Sequence, residues 1–225
     1  MQAPEIIVFD VDGVLVEVTN SYREAIRETV KYFTGDLISN DLIQNFKNQG
    51  GWNNDWELSY RLILDRGWKV EYEEVVDQFN RTFFGDSGNG LILREQWLPR
   101  TDFFPALSQS SSFAIFTGRV GYELKPTLNR FASHIAFDPV ITADDVKYPK
   151  PAPDGLNIIK ERHAGKSIWY LGDTVDDARA AQGAGVPFIG IAAKSSPRYA
   201  ELVDALEREG AFTILNHVNE LLDLL

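Results

Sequence analysis

The sequence predicts an α/β fold: a parallel sheet flanked by helices, with a helical insert after its first strand. Three observations predict it. Six short β-rich runs recur along the chain with helical segments between them. Most are apolar without alternation, as expected for strands covered on both faces. The interval from residue 18 to about residue 98 shows helical periods and no convincing strand.

The elements follow in order. "EIIVF" (5–9) reads as the first strand and ends in "DVDGV". Helical periods then occupy "SYREAIRETVKYF", "DLIQNFKN", "DWELSYRLILDRG" and "YEEVVDQFNRTFF", separated by glycine-rich or asparagine-rich turns. The chain returns to the sheet near "LPRTDFF" and continues through strands in "SFAIF" (112–116), "FDPVIT" (137–142), "SIWYLG" (167–172), "PFIGI" (187–191) and "FTIL" (212–215). The expected core is therefore discontinuous, residues 1–17 with 99–225, and residues 18–98 form the helical insert. No internal repeat and no low-complexity tract interrupts this order.

Composition bounds the function. With 225 residues, 44% of them hydrophobic, the chain can build one sizeable core and a smaller second unit. It has no cysteine, which removes disulfides, thiolate zinc sites and cysteine nucleophiles together and fits the cytoplasm. The start "MQAPEIIVFD" has no basic region ahead of the first strand, so no secretory signal is expected. No apolar run approaches membrane-spanning length. The net charge of −11, from 33 acidic and 22 basic residues, argues against a nucleic-acid or anionic-membrane surface. An anionic substrate would have to be drawn in locally, by a cation and a few placed lysines or arginines.

In an open α/β sheet, ligands bind beyond the carboxyl ends of the strands. The polar signals of this chain fall there. Asp10 and Asp12 follow the first strand, Thr117-Gly118-Arg119 follows "FAIF", Lys150 lies in "YPKPAPD", and Asp173, Asp176 and Asp177 follow "WYLG". Two carboxylates held as close as Asp10 and Asp12 call for a cation or a shared proton. Taken singly, each motif also suits a strand-end turn, a helix cap or a surface lysine. Taken in order, the four strand ends offer an acid pair, a hydroxyl, a lysine and an acid cluster. Those are parts for handling a phosphoryl group: a nucleophile, a proton carrier, phosphate donors and Mg²⁺ ligands.

On these residues the sequence resembles the haloacid dehalogenase-like hydrolases across its whole length. "DVDGV" matches the first motif, "FTGR" the second, Lys150 in "PKPAP" the third and "GDTVDDARAAQGAGV" the fourth. The resemblance implies a Rossmann-like core with the insert as an α-helical cap. It implies that Asp10 is the nucleophile that forms an aspartyl-phosphate and that Asp12 serves as general acid and then base. It also implies Mg²⁺ held by Asp10, by Asp12 through its backbone carbonyl, and by Asp173, with Asp177 in a water-mediated or lysine-orienting place. Asp176 adjoins Asp177, and the four-residue spacing from Asp173 favours Asp177. Lys150, the Thr117 hydroxyl and the Gly118 N–H suit the charge that develops on a transferring phosphoryl group.

The implied activity is that of a Mg²⁺-dependent phosphatase acting on a small phosphorylated metabolite. A phosphomutase of the β-phosphoglucomutase type is the alternative, and Val14, where many phosphatases of the family have threonine, keeps it open. A non-catalytic binding module does not account for the intact acid set, and Asp12 argues against a dehalogenase. Arg23 and Arg119 are candidate ligands for a substrate anion. Trp52, in "NQGGWNNDW" between two insert helices, is a candidate substrate contact or a plain turn residue. His134, His163 and His217 are read as surface or capping residues.

Overall fold

The computed structural model describes residues 3–86 and 88–225. Among these residues the chain forms β1 (Ile6–Phe9), β2 (Val16–Glu17), α1 (Tyr22–Thr34), α2 (Asn40–Gln49), α3 (Asp55–Leu64), α4 (Tyr72–Phe84) and β3 (Gln96–Trp97). It continues through α5 (Phe103–Leu107), β4 (Ser112–Phe116), α6 (Gly121–Phe131), β5 (Phe137–Ile141) and α7 (Asp154–Arg162). The last elements are β6 (Ile168–Gly172), α8 (Val175–Ala184), β7 (Phe188–Ile191), α9 (Tyr199–Arg208), β8 (Thr213–Leu215) and α10 (Leu221–Leu224).

The six expected strands pair in parallel in the order β5-β4-β1-β6-β7-β8. This is a doubly wound sheet. The chain builds outward from β1 to one edge, then crosses back beside β1 and builds to the other, so the crevice of a topological switch opens at the carboxyl end of β1. All four residues of β1 are fully buried. Its side chains divide between two apolar layers, Ile7 and Phe9 on one face and Ile6 and Val8 on the other. That explains the unbroken apolar run in the sequence, because neither face of the strand meets water.

Four helices occupy the insert. Their apolar stripes converge through Ile26, Val30, Leu58, Leu62, Val75 and Phe79, all buried, and α1 packs against α3 and α4. Local sequence fixes the starts. The Asn54 side chain accepts from the backbone N–H groups of Trp56 and Glu57, and Glu71 with Glu74 forms a capping box at α4. α2 instead reaches the α8–α9 side of the sheet.

One expectation needs correction. The interval 18–98 contains a strand after all: Gln96–Trp97 pairs antiparallel with Val16–Glu17, and the Leu98 N–H donates to the Leu15 carbonyl at 2.9 Å. Two residues are too few to leave an alternating pattern, so only the tertiary pairing reveals them. The two chain crossings into the insert are thus tied to each other as a short ribbon. No helix among the described residues is long and apolar enough to cross a membrane.

Candidate active site

The site is assembled at the carboxyl end of β1. The Asp10 N–H still donates to the Leu171 carbonyl at 2.8 Å, which continues the β1–β6 ladder by one residue and fixes the Asp10 side chain beside the end of β6. Gly13 then turns the chain with φ +72°, and a Cβ there would lie 2.1 Å from Asp173 Oδ2. Only glycine permits both the conformation and the approach of this loop to Asp173.

β6 is followed by the N-terminus of α8. Thr174 caps that helix, and Asp177 at its third position returns the bond, accepting from the Thr174 N–H at 3.0 Å and hydroxyl at 2.6 Å. The other Asp177 oxygen accepts from the Tyr170 hydroxyl and meets Lys150 Nζ, each at 2.6 Å. Lys150 also donates to Asp10 Oδ1 at 2.9 Å, and both residues are buried. Burial opposes the lysine charge, yet the two carboxylates outweigh it and hold the Lys150 pKa above its ordinary value.

Carboxylate oxygens of Asp10, Asp173 and Asp177 approach within 4.8 Å of one another. Burial pushes the Asp10 carboxyl up to about 7 against the pull of Lys150, with Asp177 and Asp12 adding to the rise. Burial likewise raises Asp173 well above its ordinary value, and Asp177 and Asp10 raise it further. Asp177 moves the other way in spite of its burial, because Lys150, Thr174 and Tyr170 stabilise its charge. An all-oxygen donor set in which three carboxylates share the single bonded cation Lys150 fits a hard divalent cation such as Mg²⁺. Asp177 is already engaged with Lys150, so its geometry suits orienting the lysine. Asp176, the neighbouring candidate, is outside this cluster: its Oδ1 accepts from the Gly51 N–H at 2.7 Å, in the turn between α2 and α3.

The remaining expected residues divide. Gly118 and Arg23 line the same cavity as Asp10, Asp12 and Lys150, a space of about 180 Å³ between the sheet edge and the insert. Arg23 donates to Gln44 at 2.7 Å, keeps Nη1 buried without a partner, and pulls on the Asp173 carboxyl. Thr117 is buried and does not line the cavity wall; its Oγ1 accepts from the Arg119 N–H at 3.2 Å.

Two expectations are corrected here. Arg119 borders the cavity, but its guanidinium is committed: it bonds Asp12 at 2.5 Å, Glu95 at 2.8 Å and the Thr127 hydroxyl at 2.7 Å, over the Tyr22 ring. It positions Asp12 and has no fork left for a substrate anion. Trp52 is not on the cavity wall either; its ring packs edge-on against Phe46 at 5.2 Å, because the turn directs it into the insert. Trp56, the second residue of α3, lines the cavity in its place.

Sequence reasoning also missed Tyr22, Asn53, Glu95 and Glu123. Asn53 lies so close over Gly118 that a Cβ there would be 2.0 Å from its Nδ2. Glu95 is fully buried and holds Arg119 and Thr127. The available signal was weak: Glu123 follows the second motif by four residues and reads only as an acid in the first turn of a helix. Around the site, His163 bonds the Asp138 carbonyl and His217 accepts from the Asn219 N–H, while His134 is exposed.

The family model for haloacid dehalogenase-like hydrolases matches residues 4–185. An imidazoleglycerol-phosphate dehydratase of Phytophthora nicotianae is 31% identical over 236 aligned positions, covering 97% of this chain and 52% of that protein. Phosphoglycolate phosphatase of Escherichia coli K12 is 34% identical over 91 residues, 40% of this chain and 34% of its own length. The chain thus spans about half and about a third of these relatives. A solved structure described as a haloacid dehalogenase-like hydrolase of Bacteroides fragilis superposes with a TM-score of 0.76 at 19% identity, covering 97% of this chain and 99% of that one. It shares the fold. With the family model spanning both the strand-end acids and the helical insert between them, the chain belongs to the haloacid dehalogenase-like hydrolases.

Proposed function

We propose that the protein is a Mg²⁺-dependent phosphatase that hydrolyses a small phosphorylated metabolite in the cytoplasm through an aspartyl-phosphate on Asp10. The observation that carries the reading is the convergence of Asp10, Lys150, Asp173 and Asp177 at one sheet edge, from three separate strand ends. Residues 18–98 serve as the cap over a core of residues 1–17 and 99–225.

Asp10 attacks phosphorus and the ester P–O bond breaks, with Asp12 giving its proton to the departing oxygen. Water then attacks the acyl-phosphate. Asp12 takes the water proton, and inorganic phosphate leaves as Asp10 is restored. Arg119, held by Glu95, keeps Asp12 aimed throughout. Lys150 and the Gly118 N–H receive the phosphoryl oxygens, Thr117 supports this turn from behind the cavity wall, and Arg23 is the remaining anion ligand on the insert. Asp10 and Asp173, with the Asp12 carbonyl and Asp177 nearby, would hold Mg²⁺, which supplies charge neutralisation between the carboxylates and the phosphate. Nothing in the cavity favours the mutase alternative.

The test is release of inorganic phosphate from p-nitrophenyl phosphate. Activity should vanish in EDTA, return with Mg²⁺ and fail with Ca²⁺. Asp10→Asn should lower turnover by several orders of magnitude while the fold persists, and retention of more than about a tenth of wild-type activity would refute the mechanism.

A further inference from the structure

We propose that the substrate is a phosphomonoester whose leaving group carries a protonated nitrogen, and that Glu123 receives it. This rests on the phosphatase reading and names the substrate class of the same site. Glu123 is 4% exposed, lines the cavity, and keeps Oε1 buried without a hydrogen-bond partner. The Tyr22 hydroxyl, on the same cavity wall, is also buried without a partner. The two groups neighbour each other without completing a well-formed hydrogen bond, and such a buried pair costs free energy that a ligand donor placed between them would recover.

Three of the cations on the wall are paired. Lys150 is held by Asp10 and Asp177, Arg119 by Asp12 and Glu95, and Lys47 pairs with Asp55 at 2.6 Å. Arg23 acts on the Asp173 side. Glu123 therefore has no cation committed to it. Its place in the helix does not occupy it either. It stands third after the N-cap of α6, where an acid often accepts from the backbone N–H of the cap residue, but no capping box forms at Val120. Burial pushes its carboxyl up to about 7 despite the pull of Arg119 and of the neighbouring Tyr22 hydroxyl, with Asp12 and Asp55 adding to the rise. Glu57 and the Trp56 ring border the same space. An ammonium or imidazolium group would meet a carboxylate, a phenol oxygen and an aromatic face. A carboxylate on the leaving group would instead face Glu123 and Glu57.

Three esters of nearly equal size separate the cases: 2-aminoethyl phosphate (cationic), n-propyl phosphate (neutral) and 2-phosphoglycolate (anionic), each assayed by phosphate release with Mg²⁺ alongside p-nitrophenyl phosphate. Wild-type kcat/KM should fall in that order, with the amino ester at least tenfold above propyl phosphate. In Glu123→Gln the amino-to-propyl ratio should fall at least tenfold, and Glu123→Asp should restore part of it; intrinsic reactivity cancels in this comparison. Should neither variant fold, the wild-type order alone decides. Equal or better turnover of phosphoglycolate, or a ratio unmoved by Glu123→Gln, overturns the inference while p-nitrophenyl phosphate turnover leaves the phosphatase reading standing. Absence of turnover with all four esters overturns both.

Discussion

Asp177 and Glu123 hold the same position, third after the N-cap, on helices that follow the two strands flanking β1, and burial raises both, yet their pKa values move in opposite directions. Thr174 at the cap of α8, with Tyr170 and Lys150, stabilises the Asp177 charge and lowers its pKa. Val120 at the cap of α6 does nothing comparable for Glu123, whose pKa rises to about 7. The sign of the stability effect follows. A carboxyl raised in the fold binds protons more tightly than in the unfolded chain, so its contribution is present below pH 4.5 and is lost as pH rises through 7. Glu123→Gln removes that loss. The drop in melting temperature between pH 5 and pH 8, measured with Mg²⁺ present, should be smaller in the variant than in the wild type; an equal drop would show that the carboxylate finds a partner.

At the scale of elements, the turn between α2 and α3 does two jobs with adjacent residues. Its Gly51 N–H bonds Asp176 on α8, fastening the insert to the sheet domain beside the site. Trp52 packs inward on Phe46, and Asn53 covers Gly118. The two tryptophans should therefore respond differently. Trp52→Ala should destabilise by about 2–3 kcal/mol, below the range for a fully buried ring, with substrate selectivity kept. Trp56→Ala should change kcat/KM for the true substrate by about tenfold, close to 1.4 kcal/mol, with little change in melting temperature. The reverse pattern would put Trp52 on the substrate side. Asp176→Ala should free the turn, costing about 1.5–3 kcal/mol as a buried bond to a charged group is lost, and should raise hydrogen exchange at Gly51. Unchanged exchange there would show that the latch is immaterial.

At the scale of the whole molecule, residues 10, 173 and 177 meet only when β1 and β6 pair, so the acid cluster exists only in the folded state. A cation bound there must stabilise the fold by linkage, about 2.7 kcal/mol at a hundred times its dissociation constant. Mg²⁺ should accordingly raise the melting temperature above that in EDTA, and Asp173→Asn should abolish most of the rise. A melting temperature indifferent to Mg²⁺ in the wild type would exclude a cation at this cluster. The whole-molecule charge of −11 repels anions at long range, so the four cations on the cavity wall, Lys150, Arg119, Arg23 and Lys47, matter by position rather than by number.

Local sequence determined what local chemistry can specify. Apolar runs marked the sheet strands, most plainly β1, β6 and β7, because a strand buried on both faces admits few other residues. The acids and the lysine at their ends were legible because a doubly wound sheet gathers strand ends at one edge. The tertiary structure alone decided which of those charges are free. Arg119 looked available until Glu95, 24 residues before it, and Asp12, 107 residues before it, were seen to hold it. Asp176 and Asp177 are adjacent in sequence but face different partners, one the insert and one the lysine. Trp52 lies in the turn and Trp56 at the start of α3, and the direction of the loop separates their side chains. The pairing of polar groups depends on contacts across tens of residues, and the free energy of burial makes the unpaired ones, Glu123 above all, stand out only after the chain has folded around them.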